Sequence, residues 1–299
     1  VEQLLEQQPP DYVNALAQAM FEGLGVEKDQ EKAFALWKEL ADRDANDDAT
    51  YSYAMCLRTG SVGGRTDASR AASLLSVLAE RDHSWAAFGL AVMLEEGDGV
   101  AQDAERAISM YQKAAKGGVL HAYGAMAEMY LTGRGVPRDE AKAMEIFREG
   151  TDHGSASCAF NLAVRLQEVA DGDPAKMREV LGLLKHAAGK GFAPAQFNLG
   201  MCFASGVGVE LDLELAVACF KEAAAGGFPV AMVHLAHMHL LGEGVPFSLD
   251  EAIRWYHAAA EAGVPNVGLI ANELQEIGEQ VDSEEDLRHV LKRFVEFMQ

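Results

Sequence analysis

The sequence predicts an all-α chain: a right-handed α-solenoid of about seven helix–turn–helix repeats of ~36 residues, followed by C-terminal capping helices. Three observations carry this. A four-residue turn recurs as GLGV at 23, GDGV at 97, GRGV at 133, GVGV at 206 and GEGV at 242, at spacings of 74, 36, 73 and 36 residues. The residues around each turn fall into repeated columns. Apolar residues on either side follow a helical period, as Ala195, Leu199 and Phe203 do at i, i+4 and i+8. A unit of this size cannot bury its apolar face alone, so neighbouring copies must share a continuous core.

Residues 1–10 are a short lead-in whose end Pro9 and Pro10 mark. The repeats then run from 11 to 264. The two long spacings are each about twice the short one, so each hides a worn turn, GSVGG at 60–64 and VADG at 169–172, which makes seven repeats. In each repeat a first helix runs into the turn and ends at glycine, which adopts positive φ without steric cost. An N-cap residue opens the second helix six residues later: Asp29, Asp103, Asp139, Asp212 or Ser248. A small residue follows (Ala33, Ala107, Ala143, Ala216, Ala252), then a large one (Trp37, Tyr111, Phe147, Phe220, Tyr256). Small pairs such as Ala114–Ala115, Ala187–Ala188, Ala223–Ala224 and Ala259–Ala260 come next and let helices approach closely. The second and fifth repeats have poor turns but keep the columns Ala71, Leu75 and Ala79, and Leu162, Ala163, Leu184 and Ala187, so both are expected to form hairpins. Residues 265–299 are expected to cap the array. Ser283 is the N-cap of a last helix whose acids precede its bases, and Leu287, Leu291, Phe294 and Phe297 cover the final hairpin.

Composition bounds the function. Hydrophobic residues make up 49% and charged residues 24%, a globular mixture. No apolar run is long enough to span a bilayer, so membrane insertion is not expected. Acids outnumber bases 46 to 25, for a net charge of −21, which argues against nucleic acid, because a phosphate backbone demands Lys and Arg. A protein partner fits, with basic flanks. Cys56, Cys158, Cys202 and Cys219 lie in apolar helical stretches and form no disulfide framework, which favours a reducing compartment such as the cytoplasm. The chain opens with Val1, so a leader may already be absent, and the lack of a targeting segment decides nothing.

The candidate chemistry is soon exhausted. The glycine turns lie between helices with no Lys at the P-loop offset, so they are not phosphate loops. Nucleophile-elbow, HExxH and CxxC motifs are absent, and no catalytic residue or cofactor is expected. MVHLAHMHLLGEGV, at 232–245, holds His234, His237 and His239, which raises the question of a metal. His234 and His237 share a helix face, but His239 is turned about 140° from His234, whereas three ligands on one helix need one face. The three rings occupy ordinary repeat columns: His234 that of Asn161 and Asn198, His237 that of Val164 and Met201, and His239 that of Tyr130 and Phe203. They are read as repeat residues and no metal site is expected.

The stretches AQFNLGMCFASGVGVELDLELAVACFKEAAAGG and AYGAMAEMYLTGRGVPRDEAKAMEIFREG resemble Sel-one-like repeats, relatives of the tetratricopeptide repeat with the GxGV turn as their hallmark. The resemblance covers residues 11 to about 264. It implies a non-catalytic adaptor or scaffold that binds a protein or peptide segment in a concave groove and helps assemble a complex. The other role it implies is that of a structural subunit or assembly factor of a large stable complex, of the mitochondrial or endoplasmic-reticulum ubiquitin-ligase kind. By the same resemblance the first helices line the groove. The columns facing it include Asp48, Tyr51, Met55 and Arg58; Trp85, Phe88, Val92 and Glu95; and His121, Glu128 and Leu131. In the later repeats they include Phe160, Val164, Phe197 and Met201, then Val233, His234, His237 and Leu240. In related repeats an Asn at the column of Asn161 and Asn198 clamps a peptide backbone. Of the aromatics, Tyr51, Phe88, Phe160 and Phe197 recur in one column and also suit core packing. Trp85 breaks a column of small or polar residues and is the best single surface contact.

Overall fold

The computed structural model describes residues 8–64, 66–170, 173–281, 283, 288, 290 and 291. These contain helices and turns and no strand. The chain forms two compact halves, dividing between His153 and Gly154. The N-terminal half holds α1 (Pro10–Glu22), α2 (Gln30–Asp42), α3 (Asp47–Thr59), α4 (Ala68–Glu80), α5 (Ser84–Glu96), α6 (Ala104–Lys116), α7 (His121–Thr132) and α8 (Glu140–Asp152). The C-terminal half holds α9 (Ala156–Glu168), α10 (Pro174–Gly189), α11 (Ala193–Ser205), α12 (Leu213–Ala225), α13 (Pro229–Leu241), α14 (Leu249–Glu261) and α15 (Val267–Gln280). Within each half every helix packs on the next in sequence. The chain is thus an all-α repeat solenoid, with odd-numbered helices as the first of each repeat and even-numbered helices as the second.

The local causes are those the sequence implies. All five expected N-caps accept a backbone N–H: Asp29 from Lys32, Asp103 from Arg106, Asp139 from Lys142, Asp212 from Leu215 and Ser248 from Glu251. Each satisfies a donor that the helix itself leaves orphaned. The small-residue column Ala33, Ala107, Ala143, Ala216 and Ala252 is entirely buried. The large column is equally dry, from Trp37 to Tyr256, and each such side chain contributes about 2–3 kcal/mol by leaving water. The second and fifth repeats do form hairpins, α3 with α4 and α9 with α10. In the fifth, α9 ends on Val169 rather than a left-handed glycine, and α10 starts early with Pro174 in its first turn behind the cap Asp173. Asp171 and Gly172 of its turn lie outside the described residues.

The second glycine of the turn has a job of its own. A methyl group on Gly99, Gly135 or Gly244 would collide with the first residue of the preceding repeat's second helix: Ala68, Ala104 and Leu213 respectively. The turn therefore both reverses the chain and receives the neighbouring repeat at close approach. Gly278, near the end of α15, meets Leu249 of α14 in the same way.

The ends differ slightly from expectation. Pro10 is already helical, one residue inside the expected lead-in, because its fixed φ and missing N–H suit a first helical position. At the other end α15 and Leu291 close the last core, where Leu291 is fully buried with Val267, Ala271 and Leu274. The expected contacts of Leu287, Phe294 and Phe297 lie outside the described residues.

Candidate functional site

The first helices of each half leave one side chain in three or four partly open, and these form a wall. In the N-terminal half the wall is aromatic and charged. Tyr51 stacks on His83, with ring centroids 5.3 Å apart and an interplanar angle of 25°. His83 was not anticipated. It caps α5 by accepting the Ala86 N–H at Nδ1, so its proton sits on Nε2, which donates to Asp48 at 3.1 Å. Its signal was its place just ahead of a first helix, where Asn46 and Ser155 also act as caps.

Trp85 is 48% exposed and leans on Phe88 and His121, at 6.1 and 6.4 Å between ring centroids. Phe88 in turn packs on Tyr111. The Tyr111 hydroxyl donates to Glu95 at 2.7 Å, and Arg134 donates to the other oxygen of that carboxylate at 2.7 Å. Burial, and then the Glu95 carboxylate, push the Tyr111 phenol well above its usual range. Arg58 donates to Glu96 at 2.7 Å and to Asp98 at 3.0 Å, so this expected groove cation is tied across to the next repeat. Met55 and Tyr51, with Phe21 and Trp37, line a hollow of about 350 Å³ whose rim also carries the polar side chains of Gln18, Ser52, Thr59 and Ser61.

In the C-terminal half the wall has three rows across α9, α11 and α13, and none carries a formal charge. Phe160 and Phe197 form one, Asn161, Asn198 and His234 the second, and Val164, Met201 and His237 the third. The aromatics anchor the wall from beneath. Phe160 packs on Phe192, and Phe197 on Phe220, Phe228 and His234, with centroids 5.1 to 5.5 Å apart. The side chains of Asn161 and Asn198 are half-buried, and among the described residues neither amide has a hydrogen-bond partner. An amide or a neutral imidazole presents both a donor and an acceptor. Burial lowers the pKa of His234, and burial together with the neighbouring His234 lowers that of His237, so both rings are neutral near pH 7. The His237 ring meets Tyr256 edge-on at 5.8 Å.

Two expected positions are corrected or refined. Leu240 does not face the wall. It is 2% exposed and packs with Ala236, Ala252 and Tyr256, because α14 covers this position. His239 is turned away from His234 and His237, as its register required. It is buried, with a hydrogen bond to the Pro246 backbone and burial lowering its pKa.

The comparisons with known proteins agree with this architecture. A profile of the Sel1 repeat matches residues 10–44, 47–83, 86–119, 120–155, 193–228 and 229–264. The second repeat is among them despite its poor turn, and the fifth, around α9 and α10, is not. A Sel1 repeat protein from Oxalobacter formigenes superposes with a TM-score of 0.58 at 27% identity, over 90% of this chain and 67% of that one. Yeast Tom70 superposes with a TM-score of 0.60 at 14% identity, over 97% of this chain and 60% of that one, a likeness of fold alone. Protein c5321 of uropathogenic Escherichia coli, a protective antigen with an SLR fold, is 21% identical over 96% of this chain and 68% of its own, with a TM-score of 0.47. No curated protein matches in sequence.

Proposed function

This chain belongs to the Sel1 repeat family, and from that premise we propose that it is a non-catalytic scaffold that holds a segment of a partner protein against its first-helix walls and helps assemble a complex. Repeats of this kind mediate protein–protein interaction. The observation that carries the finer reading is the row Asn161, Asn198 and His234, set between Phe160 and Phe197 on one side and Val164, Met201 and His237 on the other. A half-buried amide with no partner in its own fold keeps its donor and acceptor available to a guest. A peptide backbone offers the matching N–H and C=O groups at regular intervals, whereas the flanking aromatic and Met side chains supply apolar contact.

In the N-terminal half the same reading assigns Tyr51, Met55, Trp85 and Phe88 as side-chain contacts. Asp48 and Glu128 are exposed acids on that wall, and the cations Arg58 and Arg134 are already paired. This supports a partner with basic residues flanking an apolar core. Nucleic acid does not suit a chain of net charge −21. Among the described residues no helix is long and apolar enough to cross a membrane.

The test is affinity capture of the partner with mass spectrometry, followed by titration of its binding segment against wall variants. Asn161→Ala, Asn198→Ala and Trp85→Ala should each weaken binding by at least about 1 kcal/mol. The melting temperature should not fall in the Asn variants, since neither amide supports the fold. Wild-type affinity in all three, with binding lost on second-helix substitutions, would sink the proposal.

A further inference from the structure

The N-terminal half carries a second cleft, away from the first-helix wall. It lies between the second helices α6 and α8, has α7 as its floor and a volume of about 230 Å³. Ile108, Met126 and Ile146 give it an apolar centre. Helices α6 and α8 run in the same direction, so Lys116, the last residue of α6, and Lys142, the third of α8, stand at opposite ends. α7 runs the other way and places Tyr123 near Lys116 and Tyr130 near Lys142.

The two ends differ chemically. At the first, the Tyr123 hydroxyl already lies 3.4 Å from Glu149 and 3.3 Å from His153, so it is engaged within the fold. At the second, the Lys142 ammonium donates to Glu145 at 2.9 Å, a solvent-exposed pair that uses one of its three donors. The Tyr130 hydroxyl is a further donor beside it. The corresponding positions of the second, third, sixth and seventh repeats hold Thr50, Ala87, Gln196 and Met232, and Leu57, Leu94, Phe203 and His239, so a pair of phenol hydroxyls is particular to this cleft. The charge balance is also local: residues 104–152 carry seven basic and seven acidic side chains in a chain whose net charge is −21.

We propose that this cleft docks an acidic–apolar segment of a protein partner. A large apolar side chain lies over Ile108, Met126 and Ile146, and the neighbouring carboxylate accepts hydrogen bonds from Lys142 Nζ and the Tyr130 hydroxyl. This site is independent of the first-helix wall, so the two proposals fail separately.

The full chain, labelled at Ile and Met methyl groups, tests it by NMR. Three capped pentapeptides serve as probes: Gly-Asp-Leu-Glu-Gly, its amide twin Gly-Asn-Leu-Gln-Gly, and its basic twin Gly-Lys-Leu-Lys-Gly. The acidic peptide should shift the methyl signals of Ile108, Met126 and Ile146. Lys142→Gln, an exposed change that leaves the core untouched, should weaken that binding severalfold, and Lys142→Gln with Tyr130→Phe by about tenfold. Asn161→Ala with Asn198→Ala should leave it unchanged. The proposal is overturned if these methyls stay fixed at millimolar acidic peptide, if either twin moves them equally, or if Lys142→Gln has no effect.

Discussion

Gly25, Gly99 and Gly135 share one backbone conformation, each with φ +71°, and differ only in what lies beside them. Replacing each with Ala therefore separates the cost of the turn from the cost of repeat stacking. The left-handed conformation alone costs an L-residue about 1–2 kcal/mol. At Gly25 that is the whole expected effect, since among the described residues nothing lies within 4 Å of the added methyl. At Gly135 the methyl would stand 2.5 Å from the Ala104 Cβ, which has no torsion by which to move aside. Carbon atoms prefer about 3.5–4.0 Å, so adjacent repeats must part by roughly an ångström. Overpacking of that kind costs about 1–3 kcal/mol more, giving a total of about 2–5. At Gly99 the obstacle is the backbone of Ala68 itself, and the effect should sit at the upper end of that range. Urea unfolding measures this, with Trp255→Phe as background so that fluorescence reports only Trp37 and Trp85 in the N-terminal half. Equal losses at Gly25 and Gly99 would refute the stacking role and leave the second glycine as a turn residue only.

Two further predictions concern the wall and its floor. Tyr256 is fully buried and its hydroxyl has no partner among the described residues, whereas Tyr111 in the same column donates to Glu95. Tyr256→Phe should therefore stabilise the chain by about 1 kcal/mol and Tyr111→Phe destabilise it by about 1–2, both read from urea midpoints; a loss on Tyr256→Phe would reveal a partner for that hydroxyl. Burial depresses the pKa values of His234 and His237 below the ordinary imidazole value of about 6.5. Above about pH 6.5 both folded and unfolded states keep these rings neutral, and they add no pH dependence. As pH falls from there the unfolded chain protonates first, so stability should drop by at most about 1.4 kcal/mol per pH unit for each ring. His234→Phe with His237→Met should flatten the profile between pH 6.5 and 5.5; an unchanged slope would contradict the assigned burial.

Much of the scaffold was legible because its rules are local. A cap such as Asp103 is recognisable from its distance to the glycine turn, and the buried column of Ala107 and Tyr111 from its distance to the cap. The wall was legible only in part, since a column index gives direction but not depth. Leu240 shares its column with Arg58 and Glu95, yet α14 covers it, and only the packed structure tells covered from open. His83 escaped because His is a rare cap, and its second role, under Tyr51, joins residues from different repeats. The ties of Arg58 to Glu96 and Asp98, and of Arg134 to Glu95, also span repeats and have no signature in a single unit. The cleft between α6 and α8 depends on two tyrosines whose columns vary from repeat to repeat (Thr50, Ala87, Gln196 and Met232; Leu57, Leu94, Phe203 and His239), so a repeat consensus hides it.

The columns that join the hairpins and the columns proposed to meet a partner obey opposite constraints. At the joints the residue is fixed by contact: Ala33, Ala107, Ala143, Ala216 and Ala252 have no exposed surface, and a larger side chain there would push repeats apart. On the wall the column of Trp85 reads Asp48, Trp85 and His121 in one half and Ser157, Pro194 and Val230 in the other, a variety that packing does not require. Its chemistry therefore divides by half. In the proposed scaffold Asp48, Glu128 and Trp85 would discriminate by charge and shape, with charge effects screened by salt. Asn161, Asn198 and His234 offer neutral hydrogen bonds that any peptide backbone satisfies. A side-chain-reading face supplies specificity, and a backbone-reading face supplies affinity with little regard to sequence. A scaffold that carries both can hold a partner through main-chain contacts without holding every extended chain it meets.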